Sequence, residues 1–205
     1  MEFWNSLLTE KSWTILTQLQ QKQFKFIVIG GWAAYLWTRS HKSKDIDIIV
    51  ADFKDLEYLK KEYDLRKNDN LKKYEIKLEE IDVDIYVPYY SQLALPMTEI
   101  IKHTSRIENI TVVSPEVLLI LKQGAELDRK ESVKGRKDRI DIMTLLLASG
   151  VNFMEYKHLP KEHALEHFWP RLLTIITEFK DFNYLDLNPC EFKLRKRELL
   201  KKLKQ

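Results

Sequence analysis

One stretch constrains this chain more than any other: an apolar run, two glycines, a short aromatic-rich segment, and then Asp45-Ile46-Asp47. Phe24 to Ile29 is β-branched and aromatic and reads as a strand, which Gly30-Gly31 stops. Trp32 to Trp37 is helix-compatible, and Asp45 to Val50 begins with the alternation Asp, Ile, Asp, Ile of a second strand. Glycines between a strand and a helix free backbone N–H groups to hold phosphate at the helix N-terminus and let it approach closely. Side chains alternate along a strand, so Asp45 and Asp47 share one face while Ile46 and Ile48 point into a core. Two carboxylates that close repel each other unless a cation sits between them, and hard oxygen ligands suit Mg²⁺ rather than zinc. Alone, Asp-x-Asp is most often a solvated strand end and Gly-Gly an ordinary turn. Their joint order points to a phosphate cradle beside a metal site.

The remaining pattern sets this stretch in an α+β chain. Phe3 to Gln21 and Phe53 to Glu62 have helical spacing. Tyr74 to Leu78 and Ile81 to Val87 read as a hairpin turning at Glu79-Glu80 and ended by Pro88. Asp82 and Asp84 repeat the carboxylate alternation, so a third carboxylate joins the first two if these strands are neighbours, and three would make a two-metal site. A short strand at Thr111 to Val113 precedes Ser114-Pro115-Glu116, a helix-start signal. Beyond it the spacing predicts four helices, Val117 to Arg129, Arg136 to Ala148, Lys161 to Phe179 and Glu191 to Lys204, the second closed by Gly150. The expected organisation is a core over residues 1–113, containing a small mixed sheet and an N-terminal helix, with a helical subdomain over 114–205 packed on it.

Composition narrows the setting. With 205 residues, 44% hydrophobic and 32% charged, the chain can bury a sizeable core, and disorder is not expected. A formal net charge of +3 does not by itself argue for nucleic acid. Cys190 is the single cysteine, which excludes an intrachain disulfide and a cysteine-cluster zinc site and fits a reducing, cytoplasmic setting. The longest apolar run, Phe26 to Trp37, falls well short of the roughly 20 residues a spanning helix needs, so no membrane segment is expected.

Ile27-Val28-Ile29-Gly30-Gly31, then Asp45-Ile46-Asp47, then Val83-Asp84-Ile85 on a later strand resembles the nucleotidyltransferase superfamily. Within it the chain is most similar to the AbiEii-type and MenT-like type IV toxin branch. Lys122 in Leu121-Lys122-Gln123, Arg129, and Lys137-Asp138-Arg139-Ile140-Asp141 follow in the branch's order. Where that branch often has Arg-x-Thr-x before Asp-Ile-Asp, this chain has His41-Lys42-Ser43-Lys44, which replaces the arginine and keeps a hydroxyl at Ser43. The resemblance implies a polymerase beta-like fold and an enzyme that moves a nucleoside monophosphate from ATP or another NTP to an acceptor hydroxyl, releasing pyrophosphate. It implies Asp45, Asp47 and Asp84 as ligands of two Mg²⁺ ions, with Asp84 preferred over Asp82 because apolar residues flank it. It also implies Gly30, Gly31, Ser43, Lys122, Arg129 and Asp138 as nucleotide and phosphate contacts. The expected acceptor is an RNA 3′ end such as tRNA, with a cognate antitoxin as partner. The alternatives are adenylylation of a protein or of a small molecule such as an aminoglycoside, and a silent NTP-binding module.

Four further features have bland and functional readings side by side. His163-Ala164-Leu165-Glu166-His167 matches a zinc-peptidase pattern if both histidines share a helix face, against solvated helix histidines. Lys130, Lys134, Arg136, Lys137 and Arg139 form a basic cluster, and Phe192 to Lys204 is a basic amphipathic segment; either suits a polyanion or is a solvated face. Trp4, Trp13, Trp32, Trp37 and Trp169 read as packing residues rather than base-stacking platforms.

Overall fold

Ile46, Ile48, Val83 and Ile85 are each at most 1% exposed, so the Asp/Ile alternation is the edge between a buried and an open sheet face. The computed structural model describes residues 6–203 and divides into two units, Met1–Ser114 and Pro115–Gln205. The first holds α1 (Ser6–Gln20), β1 (Ile27–Val28), α2 (Gly30–Thr38), β2 (Ile46–Ile49), α3 (Phe53–Glu62), β3 (Arg66–Asn68), β4 (Lys73–Leu78), β5 (Ile81–Tyr86), α4 (Met97–Ile100), β6 (Thr104–Ile107) and β7 (Ile110–Val113). Its strands form one mixed seven-stranded sheet in the order β3-β4-β5-β2-β1-β7-β6. β2 runs parallel to β5 and β1 parallel to β7, while the other neighbours are antiparallel. Phe3 and Trp4 of the expected first helix lie outside the described residues.

Local chemistry explains where these elements begin and end. Asp52 caps α3 by accepting from the Lys54 N–H at 2.9 Å, while Asp55 in the first turn and Lys60 and Lys61 in the last suit the helix dipole. These signals are all in the sequence, and the observed α3 has the bounds the spacing predicts. β3 and β6 were not expected. Both are edge strands made mostly of polar or charged residues, Arg66-Lys67-Asn68 and Thr104-Ser105-Arg106-Ile107, and such edges carry no apolar alternation to read.

The second unit is helical: α5 (Pro115–Arg129), α6 (Val133–Ala148), α7 (Phe153–Glu162), α8 (Phe168–Glu178), a 3₁₀ turn at Phe182–Leu185, and α9 (Pro189–Leu203). Ser132 caps α6, accepting from the Gly135 N–H at 3.0 Å. The single helix expected over Lys161 to Phe179 is a break flanked by two helices. Asn152 starts α7 by capping Met154 and Glu155, Ala164 adopts a left-handed φ of 55°, and α8 starts afresh at Phe168. Among the described residues no helix is long and apolar enough to cross a membrane.

Candidate active site

The end of β1 and the start of β2 bring the glycines and carboxylates together. The Ile29 N–H donates to the Asp47 carbonyl at 3.0 Å, so the residue before Gly30 is tied to the backbone of Asp47. Gly30 begins α2 with φ +66°, and a Cβ there would lie 2.1 Å from Asp47 Oδ2. Only glycine meets both demands, a left-handed backbone and contact with a carboxylate. Gly31 is buried in the first turn, and the N-cap Ile29 has no side-chain cap hydrogen bond. Ser43 is buried on the loop before β2, and Asp45 is half-buried at the residue preceding that strand.

Register decides which later carboxylate joins the first. β2 and β5 pair in parallel with Asp47 opposite Asp84 and Ile46 opposite Val83. Asp84 is 16% exposed along its side chain, whereas Asp82 is exposed and pairs across the hairpin with Lys77. The sheet also places a residue the sequence reading passed over. Glu75 on β4 is the antiparallel partner of Asp84, so Asp47, Asp84 and Glu75 form a row across three adjacent strands. Lys73, two residues before Glu75 and so on its face, places Nζ 2.6 Å from Asp84 and 3.1 Å from Glu75. Counting outward from the Glu79-Glu80 turn, with Leu78 opposite Ile81, would have found Glu75 from the sequence.

The electrostatics follow from that row. Burial first, and then the Asp47 carboxylate, push Asp84 up from 3.8 to about 6, against the pull of Lys73. Lys73 is itself raised: burial opposes its charge, but the Asp84 and Glu75 carboxylates outweigh that. Glu75 is lowered, its burial outweighed by hydrogen bonds from Asn68 and Lys73. Asp84 thus lies in a largely buried position beside two carboxylates and one lysine. Among the described residues no three Asp, Glu, His or Cys side chains gather as ligands of one ion. Mg²⁺ does not require three, because it commonly binds through one or two carboxylates and completes its shell with substrate phosphates and water. The pair Asp47 and Asp84, two hard-oxygen ligands with a mutual repulsion to relieve, fits that ion.

The architecture that carries this row has known counterparts. The chain superposes on an antigenic nucleotidyltransferase-like protein from Paracoccidioides brasiliensis with a TM-score of 0.50 at 16% identity, covering 82% of this chain and 87% of that one. The two share a fold. Protein JHP933 from Helicobacter pylori is similar at a TM-score of 0.49 and 13% identity, over 98% of this chain and 95% of that one. No family model matches the sequence, and no curated protein matches it.

In the second unit, the residues singled out from sequence do meet one another. Lys122 places Nζ 2.5 Å from Asp141 and 3.6 Å from Asp138, and Arg129 makes two hydrogen bonds to Asp138 at 2.8 and 3.1 Å. Lys122, Asp138 and Asp141 are each at most 8% exposed. Glu126, 0% exposed, accepts from Arg139 at 2.9 Å and pairs with Arg171 through both guanidinium nitrogens Nε and Nη2. Lys122 is therefore engaged by two carboxylates rather than presented to solvent.

The competing motifs separate cleanly. His163 is the C-cap of α7 and His167 precedes α8, so the two histidines share no helix face and the zinc-peptidase geometry is absent. The basic cluster is dispersed: Arg136 pairs with Asp181, Arg139 with Glu126, and Lys134 is exposed. In α9, Phe192, Leu199 and Leu203 are buried, which leaves its basic residues on the outer side. Trp32 is buried with Nε1 donating to Ser12 Oγ at 2.8 Å, its ring centroid 5.1 Å from that of Trp13, and Trp37 Nε1 donates to the Val113 carbonyl at 2.8 Å. These three pack rather than stack bases. Trp169 lies under Lys157 Nζ at 4.4 Å, and Trp4 lies outside the described residues.

Proposed function

We propose that the chain is a magnesium-dependent nucleotidyltransferase that moves a nucleoside monophosphate from an NTP to an acceptor hydroxyl and releases pyrophosphate. The observation that carries this reading is the register of Asp47 with Asp84 beside Gly30, whose backbone leaves no room for a side chain against Asp47. Bound at this pair, Mg²⁺ would neutralise phosphate charge as the leaving pyrophosphate develops it. Asp47 and Asp84 would hold that ion, with Asp45 the further carboxylate at the strand's entrance. An Asp84 carboxylate oxygen would take the proton of the acceptor hydroxyl. Gly30 and Gly31 offer backbone N–H donors to the triphosphate, and Ser43 a hydroxyl on the neighbouring loop. The resemblance adds Lys122, Arg129 and Asp138 as nucleotide contacts; the metal site of the first unit stands without them.

For the acceptor we favour an RNA 3′ end such as tRNA, in a cytoplasmic, toxin-like enzyme restrained by an antitoxin; this rests on the sequence resemblance. The test is incubation of the full chain with each labelled NTP, Mg²⁺ and total tRNA, with Asp47→Asn as control. Label in RNA is expected, falling about a thousandfold in the variant, since an ion worth several kcal/mol to the transition state is lost. Label on protein, or on an aminoglycoside supplied in a parallel incubation, would move the acceptor to those classes, and no label with any NTP or acceptor would overturn the enzymatic reading.

A further inference from the structure

Lys73 is the residue of this site that the chemistry above does not use. It projects from β4 toward Asp84, a diagonal neighbour on the same sheet face, with Nζ 2.6 Å from that carboxylate and 3.1 Å from Glu75. Its side chain is 12% exposed, so the ammonium is largely withdrawn from water and depends on these two carboxylates for its charge. Glu75 is fixed from the other side, where Asn68 Nδ2 donates to it at 2.9 Å. A compact charge on a flexible four-carbon stem can leave one carboxylate and remain with the other.

We propose that Lys73 is a built-in counter-cation that holds Asp84 when no divalent ion is bound and is displaced onto Glu75 when one binds. The proposal rests on the metal reading of Asp47 and Asp84. A divalent ion and an ammonium cannot both sit against Asp84 without strong repulsion, so the lysine competes with the metal and sets its affinity. Glu75 makes the exchange feasible: it keeps the expelled ammonium paired in a half-buried position. Lys73 is thus a positioning residue that sets a threshold of metal concentration below which the site stays closed on itself.

Mn²⁺ binding to the full chain, followed by electron paramagnetic resonance of the free ion without nucleotide, tests this. Lys73→Met should bind Mn²⁺ at least about tenfold more tightly than the unaltered chain, as removal of one competing charge at hydrogen-bond distance implies. Lys73→Arg should keep the weaker affinity, and Glu75→Gln, which leaves the lysine no partner but Asp84, should weaken binding further. The Glu75 variant decides the matter if Lys73→Met does not fold by circular dichroism. Equal or weaker binding in folded Lys73→Met, or unchanged binding in Glu75→Gln, overturns the proposal. Asp47→Asn separates the two ideas: if it binds Mn²⁺ as the unaltered chain does, the metal reading falls, and the lysine proposal with it. Lost binding there without tightening in Lys73→Met overturns the lysine proposal alone.

Discussion

The protein buries charge twice, by opposite designs. On α5, α6 and α8, Lys122, Arg129, Arg139 and Arg171 meet Asp138, Asp141 and Glu126, so that each buried carboxylate faces one or two cations. On the sheet, Asp84 faces two carboxylates, Asp47 and Glu75, and one lysine. The first arrangement is closed, because its charges satisfy one another and a ligand would have to break them. In the second, three carboxylates share one row with a single lysine against two of them, and this is where we propose that a metal ion binds. Burial and ion pairing alone therefore do not separate a functional site from a structural one.

Removing one acid from each region tests this contrast. Glu126→Ala removes the fully buried carboxylate that pairs two part-buried arginines and should cost about 3 kcal/mol, read as a lower denaturant midpoint with an unchanged slope. A cost near zero would show that the helical network is not closed. Asp84→Asn should do the reverse. The folded protein holds this group at about 6 against an ordinary 3.8, so its contribution to stability is full below pH 4 and is lost as pH rises through 6. With chelator present, the amide variant should match the unaltered chain near pH 4 and exceed it at pH 8 by about 3 kcal/mol. A variant less stable at pH 8 would mean that Lys73 satisfies Asp84 fully. Asp52→Ala removes an acid that serves only its own helix. Losing the α3 cap should cost about 1 kcal/mol and leave Mn²⁺ binding unchanged.

How much of this could be read from sequence depends on whether the signal was local. The bounds of α3 were legible because cap, first-turn acid and last-turn lysines all lie within the helix or directly before it. The Gly-Gly turn and Asp-x-Asp were legible as a pair for the same reason. Asp84 against Asp82 was a matter of register, and Glu75 and Lys73 lay on a strand whose polar residues looked like a solvated face until the sheet put them beside Asp84. Lys122 shows the opposite limit: its place in a motif order was visible, but its capture by Asp138 and Asp141 depends on how α5 packs against α6. The break between α7 and α8 went unread because Ala164 gives no hint that it will turn left-handed.

Gly30 and Gly150 both have positive φ, yet they make opposite forecasts for mutational tolerance. A Cβ at position 150 would meet nothing within 4 Å, so asparagine, which tolerates the left-handed backbone, is an acceptable replacement there. At position 30 no such exchange exists, because any side chain collides with Asp47 before its backbone preference matters. A saturation library would therefore find position 30 closed to every other amino acid, with the carboxylate across the gap as the reason.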